Sequence, residues 1–149
     1  MADERLVEDL LALWRLLRRA SSPVRRAEST PEQYWLLTTL HRQGALPVGE
    51  LAAALGITGS SATTACKRLE RAGLVRRERQ RSDERVVRVA LTAAGAERVA
   101  SWQRERREAL ARLLAPLDDA EREQLQRLVE RVLAEAGAPA AGADGVVRP

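Results

Sequence analysis

The stretch GSSATTACKRLERAGLVRR, from Gly59 to Arg77, holds the residues best suited to chemistry. Four small hydroxyls, Ser60, Ser61, Thr63 and Thr64, come first, and the cations Lys67, Arg68 and Arg71 follow. On a helical wheel of roughly 100° per residue, Ser60, Thr64, Lys67 and Arg71 lie within about 60° of one another. Ser61 and Arg68 flank them, while Ala62, Ala65, Cys66 and Leu69 take the other side. Serine and threonine are mediocre helix formers, so helix stability alone does not account for their placement. The chemistry open to such a face is non-covalent. Short hydroxyls reach base edges or phosphates without a bulky stem, and the cations neutralise phosphates without reading sequence.

Other chemistries find little material. His41 is the only histidine and Cys66 the only thiol. A zinc site needs about four ligands at suitable spacing, and no such set is clustered. There is no Gly-rich phosphate loop, no G-x-S-x-G and no H-E-x-x-H. The chain therefore reads as a non-enzyme with no cofactor and no metal. A single cysteine allows no intrachain disulfide. No apolar run approaches the ~18 residues of a membrane span, and MADERLVEDL lacks the layout of a signal peptide. A cytoplasmic protein with no membrane partner is expected.

The elements that must position the Gly59–Arg77 face can be read from periodicity. Residues 4–20 place Leu6, Val7, Leu10, Leu11, Leu13, Trp14, Leu16 and Leu17 at helical spacing, a wider stripe than a lone surface helix needs. Thr30-Pro31-Glu32-Gln33 predicts a capped helix start, with the helix running to about Arg42 and closed by Gly44. Val48 to Leu55 is a short helix ended by Gly56. Thr58 caps the next helix, which Gly73 ends. The period then changes: LVRRERQ and RVVRVAL predict two strands, with the polar QRSDER as the hairpin tip. Thr92 caps a long helix that Pro116 ends. Asp118 and Glu121 make a second capping box for a final helix that stops at Gly137. The small-residue tail 138–149 is expected to be disordered.

Charge is unevenly spread along these elements. Residues 42–88 hold ten Lys/Arg against five Asp/Glu, whereas the rest of the chain is near neutral. Segregated positive charge is the usual footprint of a nucleic-acid binder. VGELAAALGIT supplies a partner helix for Gly59–Arg77 and Gly56 supplies the turn, which together read as a helix-turn-helix. A basic hairpin directly after a recognition helix is the winged-helix arrangement, and its tip, Arg81 to Arg85, can bring an arginine to the narrow, electronegative minor groove. The fold class is mainly α with a small β-hairpin wing: a winged helix-turn-helix plus a helical dimerisation region.

VGELAAALGIT…RLERAGLVRRERQRSDERVVRVALTAAG resembles the core of the multiple-antibiotic-resistance regulator (MarR) family. Asp83 and Arg85 match the D-x-R of its wing, and Leu91, Thr92 and Gly95 match the LT..G that follows. The resemblance covers roughly residues 5–136. It implies a homodimer whose first and last two helices pack against those of a second chain, with residues 1–28 and 96–137 as the dimerisation region and 29–95 as the DNA-binding lobe. It implies double-stranded DNA as partner, a pseudo-palindromic operator with recognition helices about one turn apart, and a repressor released by a small-molecule effector. Arg85 would enter the minor groove, Asp83 would orient arginines near the wing tip, and Ser60, Ser61, Thr63, Thr64, Lys67 and Arg68 would carry the major-groove and phosphate work, with Arg71 and Arg81 beside them.

Two departures stand out. Family members often carry an arginine near the position of Thr64, and Pro47 stands where many place a capping Thr or Ser. Trp14, Trp35 and Trp102 lie on three helices that converge, in the family, where an aromatic or amphipathic effector binds. They either serve that site, with Arg18, His41 and Arg42 as polar partners, or simply fill the core. Cys66 is either a small buried hydrophobe or a redox sensor. The other reading of the whole chain is a winged-helix module for protein–protein association with no DNA role.

Overall fold

Local signals start and stop most of the helices. A computed structural model describes residues 2–24 and 28–137. Its elements are α1 (Ala2–Ser21), α2 (Pro31–Gln43), β1 (Leu46–Pro47), α3 (Val48–Leu55), α4 (Gly59–Arg71), β2 (Val75–Gln80), β3 (Asp83–Leu91), α5 (Ala93–Leu114) and α6 (Asp119–Glu135). Thr30 and Asp118 form complete capping boxes with Gln33 and Glu121, which satisfies backbone donors that a helix start leaves open. Thr58 caps α4 by accepting from the Ser61 amide. Gly56 and Gly73 stand at φ 65° and 73°, the left-handed turns that close α3 and α4. The expected tail at 138–149 lies outside the described residues.

The sheet is antiparallel, in the order β1-β3-β2. It departs from the sequence reading in two ways. First, β1 was not anticipated: two residues, Leu46 and Pro47, pair with Val89 and Arg88. Such a short edge has no period to detect, and proline is tolerated at an edge because no ladder bond needs its missing amide. The Arg88 guanidinium donates to the Ala45 carbonyl at 2.8 Å and fastens this edge. Pro47 gives α3 no side-chain cap, so the sheet edge rather than a capping hydroxyl leads the chain into that helix. Second, the hairpin is tighter than expected. Pairing continues to Gln80↔Asp83, with an irregularity after Arg79, and leaves Arg81 and Ser82 as the turn. Asp83 is therefore paired with Gln80 rather than part of an open tip, and Arg85 falls within β3 between the Asp83 and Val87 pairs, opposite the irregularity.

The described residues divide into two compact units, one up to Arg106 and one from Arg107 on. The first has a single apolar core. Leu36, Leu37 and Leu40 of α2, Leu51 of α3, Ala65, Cys66 and Leu69 of α4, Val75, Val89, and Val99 and Trp102 of α5 are all buried together. Each fully buried leucine or valine contributes about 1.5–3 kcal/mol of transfer free energy. In the second unit α6 buries none of its side chains, and Leu125, Leu128, Val129, Val132 and Leu133 are exposed. The same holds for Leu6, Val7, Leu10, Leu11, Leu13, Trp14 and Leu16 of α1.

A small joint holds α4, the sheet and α5 in register. The Thr92 hydroxyl donates to the Gly73 carbonyl, and the Thr92 amide donates to the Leu74 carbonyl at 3.1 Å. Thr92 also caps α5, accepting from the Gly95 amide at 3.1 Å. Gly95 is buried hard against the Leu74 carbonyl, where a Cβ would collide with backbone that has nowhere to go. Gly95→Ala is therefore expected to destabilise the protein by about 1–3 kcal/mol, seen as a lower urea midpoint at unchanged slope. Gly49→Ala in α3, with open space around it, should be neutral or stabilising by up to about 1 kcal/mol.

Candidate nucleic-acid interface

Helix α4 is two-faced in the way its sequence requires. Ala62, Ala65, Cys66 and Leu69 are all at most 3% exposed. Ser60, Ser61, Thr64, Lys67, Arg68 and Arg71 are exposed, and Thr63 is half-buried. Small residues on the inner side let the backbone lie close to the core, which leaves the outer side standing proud.

The hydroxyls at the helix start form a local network. The Thr58 hydroxyl donates to Ser61 Oγ at 2.9 Å and lies 3.1 Å from Ser60 Oγ. Thr63 donates back to the Gly59 carbonyl at 2.8 Å, which leaves the hydroxyl oxygen as an acceptor. Thr64 and Ser61 are exposed. No carboxylate occupies the first turn of α4, unlike α2 and α6. The partial positive charge of the helix start is thus left open to an anion. Arg68 and Arg71 sit in the last turn, where the opposite end of the dipole favours cations.

The wing supplies a second exposed basic element. Arg81 is exposed at the turn and Arg85 on β3. Asp83 accepts from the Arg85 backbone amide at 3.0 Å. The resemblance had Asp83 orienting arginine side chains; here its hydrogen bond fixes the backbone from which Arg85 projects. Three other wing cations have structural partners. Arg76 reaches Glu78 and the Leu91 carbonyl, Arg88 reaches Ala45, and Arg77 reaches Glu70 on α4. Sequence counted these only as charge, because pairing across elements leaves no local signal.

The three tryptophans are treated differently by the fold. Trp102 is a core residue, 4% exposed. It packs at 5.3 Å on the Tyr34 ring, which also meets Trp35 edge-on at 5.3 Å. Arg106 donates to the Tyr34 hydroxyl at 2.7 Å. Trp14 is exposed under the Arg18 guanidinium, 4.7 Å from its centroid. His41 and Arg42 are exposed on the last turn of α2, among the residues that complement its dipole. Tyr34 and Arg106 escaped the sequence reading. The signals that could have found them were a lone tyrosine beside Trp35 and an arginine four residues after Trp102.

Cys66 is fully buried, and desolvation pushes its thiol up to about 11, with the Arg77 guanidinium pulling down and Glu70 and Glu32 adding to the rise. Among the described residues no group of three His, Cys, Asp or Glu is placed to hold a metal ion. No described helix is long and apolar enough to cross a membrane.

Comparison with known proteins gives this geometry a context. The MarR family profile matches residues 29–87. An uncharacterized HTH-type transcriptional regulator of Mycobacterium bovis is 37% identical over 139 residues, covering 89% of this chain and 94% of that one. The HTH-type transcriptional repressor MdtR of Bacillus subtilis is 29% identical over 103 residues, 69% of this chain and 66% of its own. Among solved structures, a MepR mutant of Staphylococcus aureus bound to an oligodeoxyribonucleotide superposes with a TM-score of 0.69 at 24% identity, over 89% of this chain and 97% of that one.

The buried thiol sets an expected outcome. Its folded value lies above the ordinary 9.0, so its contribution is fully present below pH 9 and lost as pH rises towards 11. Stability should fall over that window by at most about 1.4 kcal/mol per pH unit from this group, a component that Cys66→Ala lacks. Denaturant melts at stepped pH check this.

Proposed function

The chain belongs to the MarR family of helix-turn-helix transcription regulators, and from that premise we propose that it is a homodimeric repressor that binds double-stranded promoter DNA at a pseudo-palindromic operator. The observation that carries this reading is the outer face of α4. It places hydroxyls at an open, carboxylate-free helix start and cations behind them, beside a basic wing. In this reading Ser60, Ser61, Thr63 and Thr64 approach base edges in the major groove. Lys67, Arg68 and Arg71 hold phosphates, and Arg81 and Arg85 reach the minor groove with Asp83 fixing the strand beneath. The oligonucleotide bound by the similar MepR mutant and the repressor name of MdtR support the direction.

The dimer rests on the bare apolar faces of α1 and α6. On each of the two helices, so many exposed leucines and valines mark a face for association. We assign residues 1–28 and 96–137 to that role and 29–95 to the DNA-binding lobe, although α5 also lends Val99 and Trp102 to the core of the lobe. Release follows when a small aromatic or amphipathic effector binds the DNA-incompetent dimer more tightly than the competent one. Trp14 and Trp35, with Arg18 and His41, offer it rings and polar groups, whereas Trp102 is core. The protein acts in the cytoplasm, with the DNA.

Fluorescence anisotropy with the protein's own upstream DNA and a scrambled duplex tests the DNA reading. Promoter DNA should bind well above the scramble. Lys67→Ala should weaken both and lower the salt slope by about 1, as expected for one lost phosphate contact. Arg85→Ala should weaken the promoter complex. Equal, feeble binding to both duplexes would instead favour the association-module reading. Sedimentation should give a two-chain species that Val132→Asp disrupts; a wild-type monomer would overturn the dimer.

A further inference from the structure

We propose that Glu70 and Arg77 form a positioning clamp that sets the angle between the recognition helix and the wing. The inference rests on the DNA-binding reading above and deepens it. Glu70 sits in the last turn of α4 and Arg77 is the third residue of β2. Both Nε and Nη2 of Arg77 lie 2.7 Å from the same oxygen, Oε2 of Glu70. The pair is sheltered, at 25% and 38% side-chain exposure. The exposed Arg76–Glu78 pair, by contrast, joins two residues of one strand and does not tie the wing to α4.

The location gives the pair its leverage. Between α4 and β2 the chain turns through Ala72, Gly73 and Leu74, held by hydrogen bonds from Gly73 to Glu70 and from Leu74 to Leu69. These bonds fix the corner. The Glu70–Arg77 bridge spans it diagonally, seven residues apart. Arg77 is anchored at its other end by its place opposite buried Val89 in the ladder. From Val75 to the turn at Arg81 the strand extends about 20 Å at ~3.3 Å per residue, so a 10° tilt at the corner moves the tip by about 3.5 Å. That displacement exceeds a hydrogen-bond length and would take the wing out of register with α4 on the duplex.

Electrostatics and positioning predict opposite signs for one substitution. Glu70 is a carboxylate on the element assigned to phosphates. If its charge alone mattered, Glu70→Gln would tighten DNA binding. The clamp predicts weaker binding instead. Promoter-DNA affinity is measured at fixed salt for wild type, Glu70→Gln, Arg77→Lys and the exchanged pair Glu70→Arg/Arg77→Glu. Hydrogen–deuterium exchange of the β2–β3 amides is followed in the free proteins. Glu70→Gln and Arg77→Lys, which keeps the charge but loses the guanidinium fork, should each weaken binding about 5- to 10-fold. Both should speed exchange in the wing, and the exchanged pair should recover most of the affinity. Binding by Glu70→Gln as tight as or tighter than wild type, or an exchanged pair no better than the weaker single variant, would overturn the clamp. If wild type itself fails to select promoter DNA, the DNA reading fails. The exchange data then decide the clamp alone, with faster wing exchange in Glu70→Gln supporting it and unchanged exchange overturning it.

Discussion

The carbonyl oxygens of Gly73 and Leu74 would be two awkward acceptors at the end of α4 if nothing reached them. Thr92 reaches both, one with its hydroxyl and one with its amide, and it starts α5 at the same time. The end of α4, the first residue before β2 and the first turn of α5 are thereby fixed at one point. Gly95 completes the joint, because only a residue without Cβ can lie against the Leu74 carbonyl. The hairpin and the core follow from this constraint. Once β2 and β3 leave and return at the same place, their ladder is in register from Val75↔Leu91 to Arg79↔Val87. Val75 and Val89 then face inward together.

Helix α4 is held from behind by packing and left free in front. Three of its four inner residues, Ala62, Ala65 and Cys66, are small, so burial brings the backbone close to the core, with Leu69 the one large side chain among them. The outer face can then keep hydroxyls and cations that contribute little to stability. That division lets the exposed residues vary in type without endangering the core. The buried Cys66 belongs to the inner face by the same logic: desolvation keeps it a neutral thiol, a small hydrophobe beneath the Glu70–Arg77 pair.

Much of the site was legible beforehand because its signals are local. Capping hydroxyls at Thr30, Thr58 and Asp118, the glycines at 56 and 73, and the two-faced wheel of α4 each depend on residues within one or two turns. The bonds that tie elements together were not legible. Arg77 to Glu70, Arg88 to Ala45, Arg106 to Tyr34 and Thr92 to Gly73 join residues between 7 and 72 positions apart.

The sequence by itself determined which segments are helical, which face of α4 is buried, and that the middle of the chain is basic. Periodicity, capping and composition act at short range. Tertiary structure alone decided that QRSDER closes on a two-residue turn, that Leu46 and Pro47 form a sheet edge, and that Trp102 belongs to the core while Trp14 stays exposed. It also decided which arginines are held within the protein and which remain outward. The physical reason is that a guanidinium carries the same charge wherever it stands. Only the fold determines whether a carboxylate, a carbonyl or solvent lies within its reach.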